Sequence, residues 1–87
     1  MRLGILLSGR GSNFQAIQAA VDRGEIAARV ACVISNVPTA PGLDFAREKG
    51  LNAYALNSGE SSREAFDQKV LEILTRHEVD LVCLAGY

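Results

Sequence analysis

Ser8-Gly9-Arg10-Gly11-Ser12-Asn13 joins an apolar run, Leu3-Gly4-Ile5-Leu6-Leu7, to a stretch with helical spacing that begins Phe14-Gln15-Ala16-Ile17-Gln18. The near-continuous apolarity before the turn predicts a strand buried on both faces, as in a parallel sheet. After the turn, Phe14, Ile17, Ala20 and Val21 make one apolar stripe, while Gln15, Gln18 and Asp22 face away. Ser12 or Asn13 is the expected N-cap of this helix. Arg23 in its last turn suits the helix dipole, and Gly24 suits the residue just past its end. A glycine-rich turn between a strand and a helix gathers backbone N–H groups at a positive helix end. Such a place is suited to an anion, most often a phosphate.

The alternation repeats outward from this unit. Val30-Ala31-Cys32-Val33-Ile34 predicts a second strand ending at Ile34 or Ser35. Asn36 to Gly42 reads as a loop by its prolines and glycine. Pro41 suits the first turn of the next helix, whose body runs from Leu43 to Lys49 and closes at Gly50, with Leu43, Phe45 and Ala46 on its buried side. A short third strand follows at Ala53 to Leu56, then a polar loop, Asn57-Ser58-Gly59-Glu60. Ser61-Ser62-Arg63-Glu64 has the form of a capping box with Ser61 as N-cap. The helix it opens carries Phe66, Val70, Ile73 and Leu74 on one face, and His77 near its end reads as a surface or dipole-facing residue. The last strand is expected at Val79 to Leu84. The order βαβαβαβ with short connections implies a parallel sheet with right-handed crossovers. The expected fold is α/β, a Rossmann-like half of a doubly wound sheet with strand order 3-2-1-4.

Bulk properties narrow the function classes. The 87 residues form at most one domain, and a hydrophobic fraction of 48% is that of a globular chain. The net charge of −1 is built from interspersed acids and bases, and aromatic residues are few, so nucleic acid is not an expected partner. The apolar runs are too short to span a membrane, and the N-terminus lacks the form of a signal peptide. The chain therefore reads as cytoplasmic. Cys32 and Cys83 lie inside apolar strand-like runs without partners at metal-ligand spacing, which predicts two small core residues.

Three phosphate-loop patterns compete for the turn. A P-loop needs a Gly-Lys-Ser/Thr ending that is absent here. The dinucleotide fingerprint matches at Gly9 and Gly11 but has Phe14 at its third glycine, and Ser35 and Asn36 stand where an acidic residue would hold a ribose. The third pattern is a single phosphate held by backbone amides, with the Ser12 hydroxyl and the Asn13 side-chain amide as uncharged donors. Read alone, the turn leaves that pattern level with a plain tight turn that caps a helix.

The whole chain resembles the N-terminal part of the phosphoribosylglycinamide formyltransferase family. The likeness is carried by Leu6-Leu7-Ser8-Gly9-Arg10-Gly11-Ser12-Asn13-Phe14-Gln15-Ala16-Ile17, Val33-Ile34-Ser35-Asn36, Gly42-Leu43, Ser62-Arg63-Glu64-Ala65-Phe66-Asp67 and Asp80-Leu81-Val82-Cys83-Leu84-Ala85-Gly86-Tyr87. The resemblance implies transfer of a formyl group from 10-formyltetrahydrofolate to glycinamide ribonucleotide in purine synthesis. It implies that Gly11, Ser12 and Asn13 hold the ribonucleotide phosphate and that Arg63 belongs to the formyl-folate site. Gly86, at the end of the last strand, would let substrate approach. Arg10, beside the two glycines, would lend charge to a phosphate; an exposed Arg10 and a solvated Arg63 are the plain alternatives for those two side chains.

The resemblance further implies that the family's catalytic Asn, His and Asp lie beyond Tyr87. No residue of this chain is then expected to be a catalyst, His77 included, and the expected domain, residues 1–87, is the phosphate-binding part alone, inactive by itself. Its fourth strand would lie inside a larger sheet. Exposure of that edge predicts self-association or element swapping. The alternatives are a stand-alone or engineered phosphate-binding α/β module without catalysis, or a related formyl-folate enzyme.

Overall fold

A computed structural model describes residues 1–56 and 62–85. Strand β1 is Arg2–Leu7, helix α1 Ser12–Asp22, strand β2 Arg29–Ser35, helix α2 Pro41–Glu48, strand β3 Ala53–Ala55, helix α3 Arg63–Arg76 and strand β4 Leu81–Leu84. All pairings are parallel, and the sheet order is β3-β2-β1-β4. The expected α/β half-sheet is therefore the observed one.

Period-two alternation along the strands sorts the core into two layers. Ile5, Leu7 and Val33 pack with Phe14 of α1 and with Leu43 and Ala46 of α2 on one face. Leu6, Cys32 and Ile34 pack with Ile73 of α3 on the other. The third crossover, through α3, thus lies opposite the first two helices, and the chain reverses its direction of travel across the sheet between β1 and β4. A register shift between Leu3 and Gly4 leaves Ala31 of β2 as an extra residue, so Val30 and Val33 share a face. Asn52 Nδ2 donates to the carbonyl of this extra residue at 3.1 Å.

Several expected boundaries move, each for a local reason. Gly11 is the N-cap of α1 in place of Ser12 or Asn13, and no side chain caps the helix. Helix α2 opens at Pro41, two residues before Leu43, because proline at N1 needs no hydrogen-bond partner. The N-cap of α3 is Ser62, whose Oγ accepts from the Ala65 amide at 3.2 Å. That placement corrects the capping box built on Ser61, which lies outside the described residues, as does the 57–60 loop. Gln18, expected to face away, is instead 7% exposed, since it falls one turn after the fully buried Phe14 on the same stripe of α1. Phe45 is half-buried and meets Phe14 edge-on at 5.4 Å.

The three helices end alike. In each, the two amides after the C-cap donate back into the last turn: Gly24 and Glu25 after α1, Gly50 and Leu51 after α2, Glu78 and Val79 after α3. The motif requires a left-handed residue. Gly24 and Gly50 supply it without strain, while Glu78 adopts φ 53° with a side chain. This termination absorbs Val79, so β4 begins at Leu81. His77 is the C-cap, half-buried against Tyr54, with Tyr54 Oη 2.6 Å from its Nε2.

Strand β4 departs most from its expected burial. Leu81, Val82 and Leu84 are 50%, 40% and 68% exposed, and Cys83 is only half-buried. The strand pairs with β1 along one edge, and its other edge has no strand neighbour among the described residues. Cys32 is a fully buried core residue as expected, and burial pushes its thiol pKa up.

Candidate functional site at the carboxyl end of the sheet

In a parallel sheet the strands end on one side, and the helices that follow them start there. The start of α1, the start of α2, Arg63 at the start of α3 and Ala85 beyond β4 therefore share the carboxyl end of this sheet. The reversal between β1 and β4 lies at the same end, where open α/β sheets bind ligands.

The turn after β1 is shaped by its glycines and by the core below. Gly11 has φ 67° and ψ 44°, a left-handed conformation that an alanine adopts only at a cost. That conformation starts α1 at Ser12 and lets the Gly11 carbonyl accept from the Gln15 amide at 2.8 Å. Phe14 is fully buried and pins the first turn of α1 to the sheet. The amides of Ser12, Asn13 and Phe14 have no acceptor among the described residues. They are the orphan donors of a helix start, at its positive end. Ser12 and Asn13 are exposed, so their side chains stand beside these amides in reach of solvent.

Two contacts hold the turn to its surroundings. Gly42 of α2 donates its amide to the Gly9 carbonyl at 3.1 Å. Ser8 Oγ donates to Asn36 Oδ1 at 2.7 Å, tying the end of β1 to the end of β2. Ser35 secures the next step, its Oγ lying 3.0 Å from both the amide and the carbonyl of Val37. Gly42, Ser8 and Asn36 were not among the site residues expected from sequence. The only sequence signal for the Ser8–Asn36 bridge is a polar residue just past each of two apolar strands. The parallel register, with Leu7 opposite Ser35, makes Ser8 and Asn36 neighbours.

The expected site residues fall into three groups. Gly11, Ser12 and Asn13 stand together at the α1 start. Arg63 is exposed as the first residue of α3, and no hydrogen bond or ion pair links it to the turn among the described residues. Its helix packs on the opposite face of the sheet from α1. Gly86 lies outside the described residues, next to Ala85, whose amide donates to the Leu6 carbonyl at 2.8 Å. Arg10 is exposed, and its carbonyl accepts from Gln15 Nε2 at 3.3 Å. Among the described residues no group of His, Cys, Asp and Glu is placed to hold a metal ion, and no helix is long and apolar enough to cross a membrane.

Known proteins share both the sequence and this geometry. Residues 1–87 match the formyl transferase family over their whole length. Phosphoribosylglycinamide formyltransferase of Escherichia coli is 39% identical over 88 residues, covering 100% of this chain and 42% of that protein. The trifunctional purine biosynthetic protein adenosine-3 of Drosophila melanogaster is 40% identical over 89 residues, 99% of this chain and 7% of the relative. The crystal structure of glycinamide ribonucleotide transformylase 1 from Symbiobacterium toebii superposes with a TM-score of 0.95 at 46% identity, over 100% of this chain and 42% of that one. The chain thus spans less than half the length of these relatives. Because the match is continuous from the first strand to the last and the half-sheet superposes on a solved relative, the chain belongs to the formyl transferase family.

Proposed function

We propose that this chain is the N-terminal, phosphate-binding part of a phosphoribosylglycinamide formyltransferase, acting in purine synthesis in the cytoplasm. In this reading Gly11, Ser12 and Asn13 hold the phosphate of glycinamide ribonucleotide. The observation that carries it is the set of amides at Ser12, Asn13 and Phe14 that have no acceptor among the described residues, at the positive end of α1 and beside the reversal of strand order. Uncharged donors suit a dianion that must be bound and released, and Ser12 and Asn13 add a hydroxyl and an amide to the backbone set. The relatives' names, phosphoribosylglycinamide formyltransferase and glycinamide ribonucleotide transformylase, supply the substrate class.

The one-carbon donor is proposed as 10-formyltetrahydrofolate, which supplies a formyl carbon open to attack by an amine. An exposed cationic Arg63 at the same end of the sheet fits the anionic tail of such a donor. Gly86 is proposed as a position where the lack of a side chain lets substrate approach. The contribution of these residues is orientation. A phosphate anchored at α1 fixes the far end of the ribonucleotide, so that its amine is held for attack and the entropy of positioning is met by binding. The proposal assigns no proton transfer or oxyanion stabilisation to this chain, and those roles fall to the rest of the enzyme.

Calorimetric titration of the chain with glycinamide ribonucleotide and with its dephosphorylated riboside tests the reading. The ribonucleotide should bind saturably and the riboside at least about tenfold more weakly, the worth of one lost charge-assisted contact. Equal affinity for the two would sink the phosphate assignment.

A further inference from the structure

We propose that the start of α2 is the element that positions the anion-binding turn, with Gly42 as the positioning residue. The proposal rests on the phosphate reading of that turn. Glycine disfavours a helix relative to alanine, yet Gly42 is the second residue of α2. The reason lies in what surrounds it. A Cβ at position 42 would sit 3.1 Å from the Arg10 carbonyl oxygen and 2.9 and 3.0 Å from the two Leu7 methyl carbons. Leu7 is fully buried, and one of the same methyls would lie 3.0 Å from a Cβ at Gly11. The Leu7 side chain is therefore wedged between two glycines, one in the turn and one in α2. A Cβ at position 42 must either drive this wedge towards Gly11 or lift the Arg10 carbonyl, and both displacements move the turn.

The same contact sets the direction of the peptide groups. The Gly42 amide holds the Gly9 carbonyl towards α2, and Gln15 Nε2 holds the Arg10 carbonyl. Peptide planes are rigid and trans, so the Arg10 and Gly11 amides are turned to the opposite side from these carbonyls. Helix α2 thus acts on the ligand through the turn without touching it.

The experiment uses the 15N-labelled chain, inorganic phosphate as probe, and Gly42→Ala with and without Leu7→Val, which removes the methyls that the new Cβ would meet. Chemical shifts of the Ser12, Asn13 and Phe14 amides report phosphate affinity, and hydrogen exchange at residue 42 reports its bond to Gly9. Gly42→Ala should weaken phosphate binding about tenfold and speed exchange at residue 42, without loss of helix content. Adding Leu7→Val should restore most of both, the 3.1 Å approach to the Arg10 carbonyl remaining. Affinity within about twofold of the parent, unchanged exchange, or failure of Leu7→Val to rescue each overturns the proposal. If the parent chain itself does not bind phosphate, the phosphate reading falls and exchange alone decides: faster exchange rescued by Leu7→Val upholds the brace, and unchanged exchange overturns it.

Discussion

Replacing Gly11 by alanine should destabilise the fold by about 1–5 kcal/mol, two costs less one gain. The φ of 67° costs an L-residue about 1–2 kcal/mol. The new Cβ would lie 3.0 Å from a Leu7 methyl and 3.4 Å from Phe14 Cβ. Both neighbours are fully buried and cannot swing away, which adds about 1–3 kcal/mol of overpacking. Alanine also restricts the unfolded chain, returning about 0.4–1 kcal/mol. At about 0.05–0.15 kcal/mol per residue, an 87-residue domain has roughly 4–13 kcal/mol in hand, so the variant should fold with a lowered midpoint. Urea unfolding followed by far-UV circular dichroism measures the difference. With a slope near 1 kcal/mol per molar, the midpoint should fall by about 1 M or more. Gly11→Asn keeps the Cβ clash but tolerates the left-handed backbone, so it should recover about 1 kcal/mol of the loss. A midpoint for Gly11→Ala within about 0.5 M of the parent would refute the claim that conformation and close packing both require glycine there.

Further outcomes follow from other parts of the molecule. Glu78→Gly should raise stability slightly, by about 0.5–1 kcal/mol in thermal unfolding, because it relieves the left-handed strain at the end of α3; a loss would mean that the Glu78 side chain contributes more than its backbone costs. Ellman's reagent should modify Cys83 in the native chain and reach Cys32 only on unfolding, since Cys32 is fully buried with its thiol pKa pushed up; equal native rates would contradict the two environments. In a full-length formyltransferase carrying this segment, Asn13→Ala should weaken ribonucleotide binding more than folate binding, and equal losses in calorimetry would count against the phosphate role. The chain alone should self-associate through the exposed β4 edge and show no formyl transfer. Sedimentation velocity finding a monomer across concentrations, or steady-state turnover by the purified chain, would overturn the respective expectation.

The architecture was legible because hydrophobic period and turn chemistry are local. Near-continuous apolar runs marked β1 and β2, helical stripes marked the helices, and Gly24 and Gly50 marked two helix ends where glycine meets the left-handed requirement. The third such end was hidden, because Glu78 adopts the conformation without being glycine. The expected serine caps misplaced two helix starts for a related reason. Capping types at adjacent positions, Ser12 and Asn13 or Ser61 and Ser62, do not reveal which residue leaves the helical conformation. At α1 the left-handed Gly11 decided it, and at α3 the reach of Ser62 Oγ to the Ala65 amide.

The anion turn divides along the same line. Sequence alone determined that a glycine-rich turn joins a buried strand to an amphipathic helix, that the P-loop and dinucleotide patterns do not fit, and which uncharged donors stand at the helix start. These are properties of neighbours in the chain. Only the tertiary structure decided what holds the turn in shape, because the holding groups are remote in sequence: Ser8 with Asn36 across parallel strands, Gly9 with Gly42, and Leu7 wedged between Gly11 and Gly42. Parallel pairing and helix packing bring them together, and neither register nor close approach can be read from the spacing of residues along one strand.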